Sequence, residues 1–226
     1  MLRIAFIGCV EFSASALNVL KDQDGIEIVG VVTRGASTFN ADFCSLEPLA
    51  AKIGCPVHLA DGNDQAGMEA FLSSVAPDLI YCFGWSYLLN AAVRAIPKLG
   101  VVGYHPAALP KNRGRHPIIW ALALGLSETA STFFLMDDGA DSGDIVSQVP
   151  VNITAEDTAR TLYDTLTEVT EVQIKDMTAA FVAGTVKPTP QDHNQANTWR
   201  KRGKADGRID WRMSAESIPN LVRAPG

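Results

Sequence analysis

The chain has 226 residues, 47% of them hydrophobic and 19% charged, which excludes disordered, collagen-like and coiled-coil proteins and leaves enough material for a sizeable core. The formal net charge of −6 argues against a general nucleic-acid-binding protein. Met1-Leu2-Arg3 runs straight into Ile4-Ala5-Phe6-Ile7-Gly8, too short an apolar stretch for a signal peptide, and no run approaches a membrane span. The expectation is a soluble, cytoplasmic protein without a membrane partner.

The first half alternates strand and helix signals. Continuous apolar, β-branched-rich runs at 2–9, 26–33, 55–60, 78–83 and 99–104 read as strands buried on both faces. Helical patterns lie between them, near 12–21, 45–53, 64–75 and 87–96. The alternation predicts βαβ units and a Rossmann-like α/β domain, a mostly parallel sheet with helices on both faces. Ligands of such sheets bind beyond the carboxyl ends of the strands, here the loops after Ile7, Thr33, Phe83 and Tyr104. The first of these loops, Gly8-Cys9-Val10-Glu11-Phe12, lacks the G-x-G-x-x-G of dinucleotide enzymes.

After residue 104 the pattern changes. A loop at 105–115 leads into a helix at about 116–125, then strands at 130–136 and 144–151 around an acidic turn. A long helix is expected to start near Thr154, with Asp157 closing a capping-box-like pair. Its stripe is Leu162, Leu166, Val169, Ile174, Met177 and Phe181, and Gly184 ends it. Pro188 and Pro190 open a linker-like stretch to about 197. The domain reading is a catalytic unit over 1–187 and a linker with a short C-terminal extension over 188–226. Residues 198–223 carry seven Lys or Arg against three acids. Trp199 and Trp211 read as packing anchors.

Four cysteines, Cys9, Cys44, Cys55 and Cys82, form no CxxC, so reduced thiols are expected and a zinc site has no support. Among four histidines, His105 stands out because it follows a buried strand at the sheet's carboxyl end. The turn 137–144 holds four aspartates and two glycines. It reads equally as a solvated hairpin or as a loop that aims one carboxylate at an imidazole; EF-hand spacing is absent.

The run HPAALPKNRG from His105 to Gly114, then Pro117, Trp120-Ala121, Thr129, and Met136-Asp137-Asp138-Gly139-Ala140-Asp141-Ser142-Gly143-Asp144-Ile145, resembles the formyltransferases that use N10-formyltetrahydrofolate. Their signature is close to H-x-S-L-L-P-x-x-R-G followed by D-x-G at a fixed distance. His105 and Asp141 stand 36 residues apart, as the family's catalytic pair does. The opening LRIAFIGCVEF and Pro77-Asp78 also fit, and the resemblance covers roughly residues 1–185. Within the family, Arg113–Trp120 and Trp199–Trp211 are most similar to the sugar N-formyltransferases, which act on nucleotide-linked amino sugars.

The resemblance implies formyl transfer from N10-formyltetrahydrofolate to such an amine, without metal, and a homodimer by analogy. It implies His105 and Asp141 as catalytic residues. It places the folate against Phe83, Gly84, Trp85, Leu88, Met136, Asp138, Gly139 and Asp141. Asn40, Asp42, Arg113 and Arg115 are the expected acceptor contacts. One position departs: the family usually has an asparagine two residues before the histidine, and here it is Gly103. Asn112 is the candidate substitute as donor to the formyl oxygen. The competing readings are glycinamide ribonucleotide formyltransferase, methionyl-tRNA formyltransferase, and a non-catalytic folate- or nucleotide-binding protein.

Overall fold

A computed structural model describes residues 1–36 and 41–224; Asn40, one of the expected acceptor contacts, lies outside the described residues. Along β1 (Leu2–Ile7), Ile4 and Phe6 enter one apolar cluster while Ala5 and Ile7 enter another. That two-residue period is the mark of a strand buried on both faces. β2 (Ile26–Thr33), β3 (Val57–Leu59), β4 (Leu79–Cys82) and β5 (Val101–His105) extend the sheet in parallel. β6 (Arg113–Gly114) stands outside it, and β7 (Glu128–Leu135) and β8 (Ile145–Asn152) complete it as antiparallel strands. The order is β3-β2-β1-β4-β5-β7-β8. Strand order reverses between β1 and β4, so the crevice lies at their carboxyl ends.

Helices cover both faces. Phe12, Ala16, Leu17 and Leu20 of α1 (Glu11–Leu20) and Ala50 of α2 (Glu47–Ile53) join the cluster of Ile4 and Phe6. Met68 and Leu72 of α3 (Gln65–Val75), with Val93 of α4 (Ala91–Arg94), join the opposite one. A third cluster unites Ala121 and Leu122 of α5 (Pro117–Ala123), Val151, and Leu162 and Leu166 of α6 (Ala159–Ala183). The far end of α6, with Ile174, Met177 and Phe181, packs with α1. No helix among the described residues is long and apolar enough to cross a membrane.

Several local expectations are corrected. The helix expected over 87–96 is a single turn. Gln65 holds the preceding backbone extended, donating to the Leu88 carbonyl and accepting from the Asn90 amide, and Asn90 then caps α4. The long helix starts at Ala159, with Thr158 accepting from the Thr161 amide. Thr154 and Asp157 do pair, but they close the turn just before it. Trp211 is 81% exposed and anchors nothing among the described residues.

The stretch read as a linker runs along the domain. Thr189 and Ile145 exchange backbone hydrogen bonds of 2.8 Å, and β9 (Thr198–Trp199) pairs with β6. Gly114, at φ +102°, sits where a Cβ would come within 2.2 Å of the Trp199 carbonyl oxygen. Only glycine lets the two backbones approach this closely. The last element of the described residues is α7 (Ser217–Val222), which packs on α5.

Candidate active site

The crevice is a cavity of about 540 Å³ at the carboxyl ends of β1, β4 and β5, within the size range of small-molecule sites. One wall is apolar and aromatic: Trp85, Tyr87, Leu88, Phe134 and Met136. The lining also includes the polar side chains of Asp42, Tyr163, Thr167, Arg115 and Thr198, with Tyr163 bonded to Asp42. His105 and Asp141 are also among the lining residues.

His105 is the last residue of β5 and is 4% exposed. Its Nε2 lies 2.7 Å from the Asn112 carbonyl oxygen, and its Nδ1 lies 3.5 Å from Asp141 Oδ2. A carbonyl only accepts, so Nε2 carries the proton in the neutral ring. Nδ1 faces the Asp141 carboxylate, beyond ordinary hydrogen-bond distance. Asp141 Oδ2 also accepts from the Gly114 amide at 2.9 Å. Asp141 has a left-handed backbone, φ +56°, which turns its carboxylate toward His105.

The other expected residues separate. Gly84, Trp85, Leu88 and Met136 line the cavity, as do Asp42 and Arg115. Asp138 and Gly139 border a small adjoining hollow that also touches Leu88, Met136 and Asp141, and Asp138 pairs there with Arg94. Phe83 does not reach the cavity. Its ring is fully buried among Phe6, Phe12, Tyr81 and Phe133, because strand alternation turns it away while Cys82 and Gly84 face the opening.

Arg113 is not among the cavity's lining residues either. Its buried guanidinium donates to Gln191 Oε1 and meets His193 Nδ1. Asn112 contributes its backbone carbonyl to His105, while its side-chain oxygen accepts from Asn197. The side-chain amide of Asn112 therefore does not line the cavity. No Asn or Gln does so among the described residues. At Gly103 the space for a side chain is filled: a Cβ there would meet Met136 Cε at 2.8 Å and Phe134 Cζ at 2.9 Å.

Sequence reasoning missed two contributors. Tyr163, on α6, accepts from the Phe12 amide at 2.9 Å and donates to Asp42 Oδ2 at 3.1 Å. Burial and the neighbouring Asp42 carboxylate push its phenol well above the ordinary tyrosine range. Gln191, 5% exposed, holds the backbone carbonyls of Asp141 and Gly143. Both stand far from the motif, and their only trace in the sequence is a tyrosine beside an apolar helix stripe and a glutamine beside a proline.

Three groups near the site have displaced titrations. Burial, with Lys201, Arg115 and Arg202 nearby, holds the His116 imidazole below its ordinary range. Burial pushes the Cys9 thiol up to about 11 and the Cys82 thiol higher still.

Comparison with known proteins bears on the fold and the family. Residues 2–177 match the model of the formyl transferase family. A methionyl-tRNA formyltransferase of Marinobacter nauticus is 33% identical, over 99% of this chain and 73% of its own. Two solved structures share the fold over 99% of this chain. One is a 4-N formyltransferase from Francisella tularensis, with TM-score 0.79, 16% identity and 87% of its chain covered. The other is an N-formyltransferase from Helicobacter canadensis in complex with folinic acid and dTDP-3-aminofucose, with TM-score 0.77, 18% identity and 80% covered. The family match over most of the chain, the sequence relative and the crevice between β1 and β4 agree: the chain belongs to the formyl transferase family of enzymes.

Proposed function

We propose that this enzyme moves a formyl group from 10-formyltetrahydrofolate to the amino group of a nucleotide-linked amino sugar. The observation that carries the reading is the His105–Asp141 pair in one cavity lined by both apolar, aromatic and polar side chains. The apolar wall suits a flat heteroaromatic ring. The Trp85 indole N–H beside it is buried without a partner among the described residues, which fits a ring rich in acceptors. The Helicobacter canadensis protein carries folinic acid, a formylated folate, together with an amino-sugar nucleotide.

In this reading the acceptor lies against the polar lining residues, with its amine toward His105 and Asp42 and its phosphates toward Arg115. The neutral amine attacks the formyl carbon, and its proton passes to His105 Nδ1. The carboxylate of Asp141 balances the imidazolium that forms. A new N–C bond forms, the bond from the formyl carbon to the donor nitrogen breaks, and His105 returns the proton to the departing nitrogen. Gly103 offers no amide to the formyl oxygen, so the charge developing there is met by the protonated His105 ring.

A second reading, formylation of methionyl-tRNA, is favoured by the Marinobacter nauticus relative. Mass spectrometry of the purified protein with 10-formyltetrahydrofolate separates the two. The panel contains dTDP-, UDP- and GDP-linked amino sugars, glycinamide ribonucleotide and methionyl-tRNA. A formylated sugar nucleotide is the expected product. Formylation of methionyl-tRNA alone overturns the sugar reading and leaves the donor reading standing.

A further inference from the structure

Gln191 sits behind the catalytic wall and spends every polar position of its side chain there. Its Nε2 donates to the carbonyls of Asp141, at 3.0 Å, and Gly143, at 2.6 Å. Its Oε1 accepts from Nε and Nη2 of Arg113, at 3.2 and 2.6 Å. A primary amide has two donors and one two-lone-pair acceptor, so no capacity is left over. The side chain is buried, where such bonds are not exchanged with water.

The two segments that Gln191 joins are those that present the pair. Asn112, before Arg113, holds His105 Nε2 with its carbonyl. Gly114, after it, donates to Asp141 Oδ2. Asp141 itself is left-handed at φ +56°, an uncommon conformation for a residue other than glycine. Pinning its carbonyl fixes that conformation, and with it the direction of the carboxylate. The neighbouring arm adds to the hold, since Asn197 accepts from the Asn112 amide and its carbonyl accepts from the Arg113 amide.

We propose that Gln191 is a positioning residue for formyl transfer: by holding Asp141 and Arg113 together it keeps the Asp141 carboxylate on His105. The inference rests on the reading of His105 and Asp141 as the catalytic pair. It places a working part of the site outside the residues that match the family model, which end at 177.

Two substitutions separate positioning from simple anchoring of the arm. Gln191→Glu keeps the size and the Arg113 partner but turns two donors into acceptors facing two carbonyls. Gln191→Met keeps the shape and loses every bond. The assay follows release of tetrahydrofolate from 10-formyltetrahydrofolate with dTDP-3-aminofucose as acceptor, with folinic acid binding as the check on the donor site. The Gly114 amide resonance, which reports its bond to Asp141, is recorded in parallel and needs no acceptor.

For both variants kcat is expected to fall on the order of a hundredfold, the cost of a misplaced catalytic group. Folinic acid affinity is expected to change far less than kcat in this reading, because Trp85, Leu88 and Met136 are untouched, and the Gly114 resonance should move. Gln191→Glu with parental kcat and an unmoved Gly114 resonance overturns the positioning role and leaves an anchor. Asp141→Asn is assayed alongside. If it retains full turnover, the catalytic-pair reading fails; if it is inactive while both Gln191 variants match the parent, this inference alone fails.

Discussion

Met136 occupies the place that a side chain at Gly103 would take: its Cε lies 2.8 Å from the position of a Cβ there. Gly103 pairs with Phe134 across the β5–β7 edge, and Met136, two residues on, lies diagonally across from it. The small residue and the large one are one packing solution, and the missing asparagine is compensated in volume, not in hydrogen bonding. Gly103→Asn is therefore expected to destabilise the protein by about 1–3 kcal/mol, the usual result of overpacking a core, and not to raise kcat. Urea unfolding of Gly103→Asn and of the double variant with Met136→Ala checks this. A single variant as stable as the parent would contradict it; recovery in the double variant supports it.

On the proposed mechanism, removing the His105 imidazole should spare binding. His105→Ala is expected to lower kcat about 10²–10⁴-fold, the typical worth of a positioned acid–base group, with folinic acid affinity little changed. Stopped assays beside calorimetry read the two separately. Equal loss of both would make His105 a binding residue instead.

Tyr163 reaches from α6 to both the start of α1 and Asp42. Tyr163→Phe leaves the ring in place and removes both bonds. A loss of about 1 kcal/mol in stability is expected for the bonds themselves. If Asp42 receives the acceptor, KM for the acceptor should rise while KM for the folate stays level. A change confined to the folate KM would move Asp42 out of the acceptor site.

His116 supplies a pH dependence of stability. Burial and the charges of Lys201, Arg115 and Arg202 hold its folded ring below the ordinary value of 6.5. Below that pH the unfolded chain therefore binds a proton that the folded chain resists. Stability falls as pH falls from 6.5 through the lower folded value. His116→Asn removes this loss and tolerates the left-handed φ of +56°. Melting temperatures between pH 7.5 and 5 should decline more gently for the variant. Parallel curves would exclude a role for His116.

The cysteines give a test of packing. Cys9 and Cys82 are buried, and their raised thiols carry almost no thiolate at pH 8. Iodoacetamide on the native protein should leave both unmodified and should alkylate both after denaturation, as read by peptide mass spectrometry. Labelling of Cys9 in the native state would show that the β1 end of the crevice opens.

The sequence by itself determined the architecture and the chemistry-bearing motif. Apolar runs such as those around Ile4 and Ile80 can be buried only between two helical layers, so the alternating pattern dictates the sheet. The histidine at a strand's carboxyl end, with an aspartate in a glycine-flexed turn, is local in the chain and readable there. What the tertiary structure decided is which neighbours face the cavity. Phe83 turned into the core through strand alternation, and Arg113 was claimed by Gln191, a partner 78 residues away. Tyr163 and Gln191 entered the site because α6 and the arm after it fold back across the sheet. No periodicity or motif records such contacts, since they depend on where distant segments meet rather than on what each segment is.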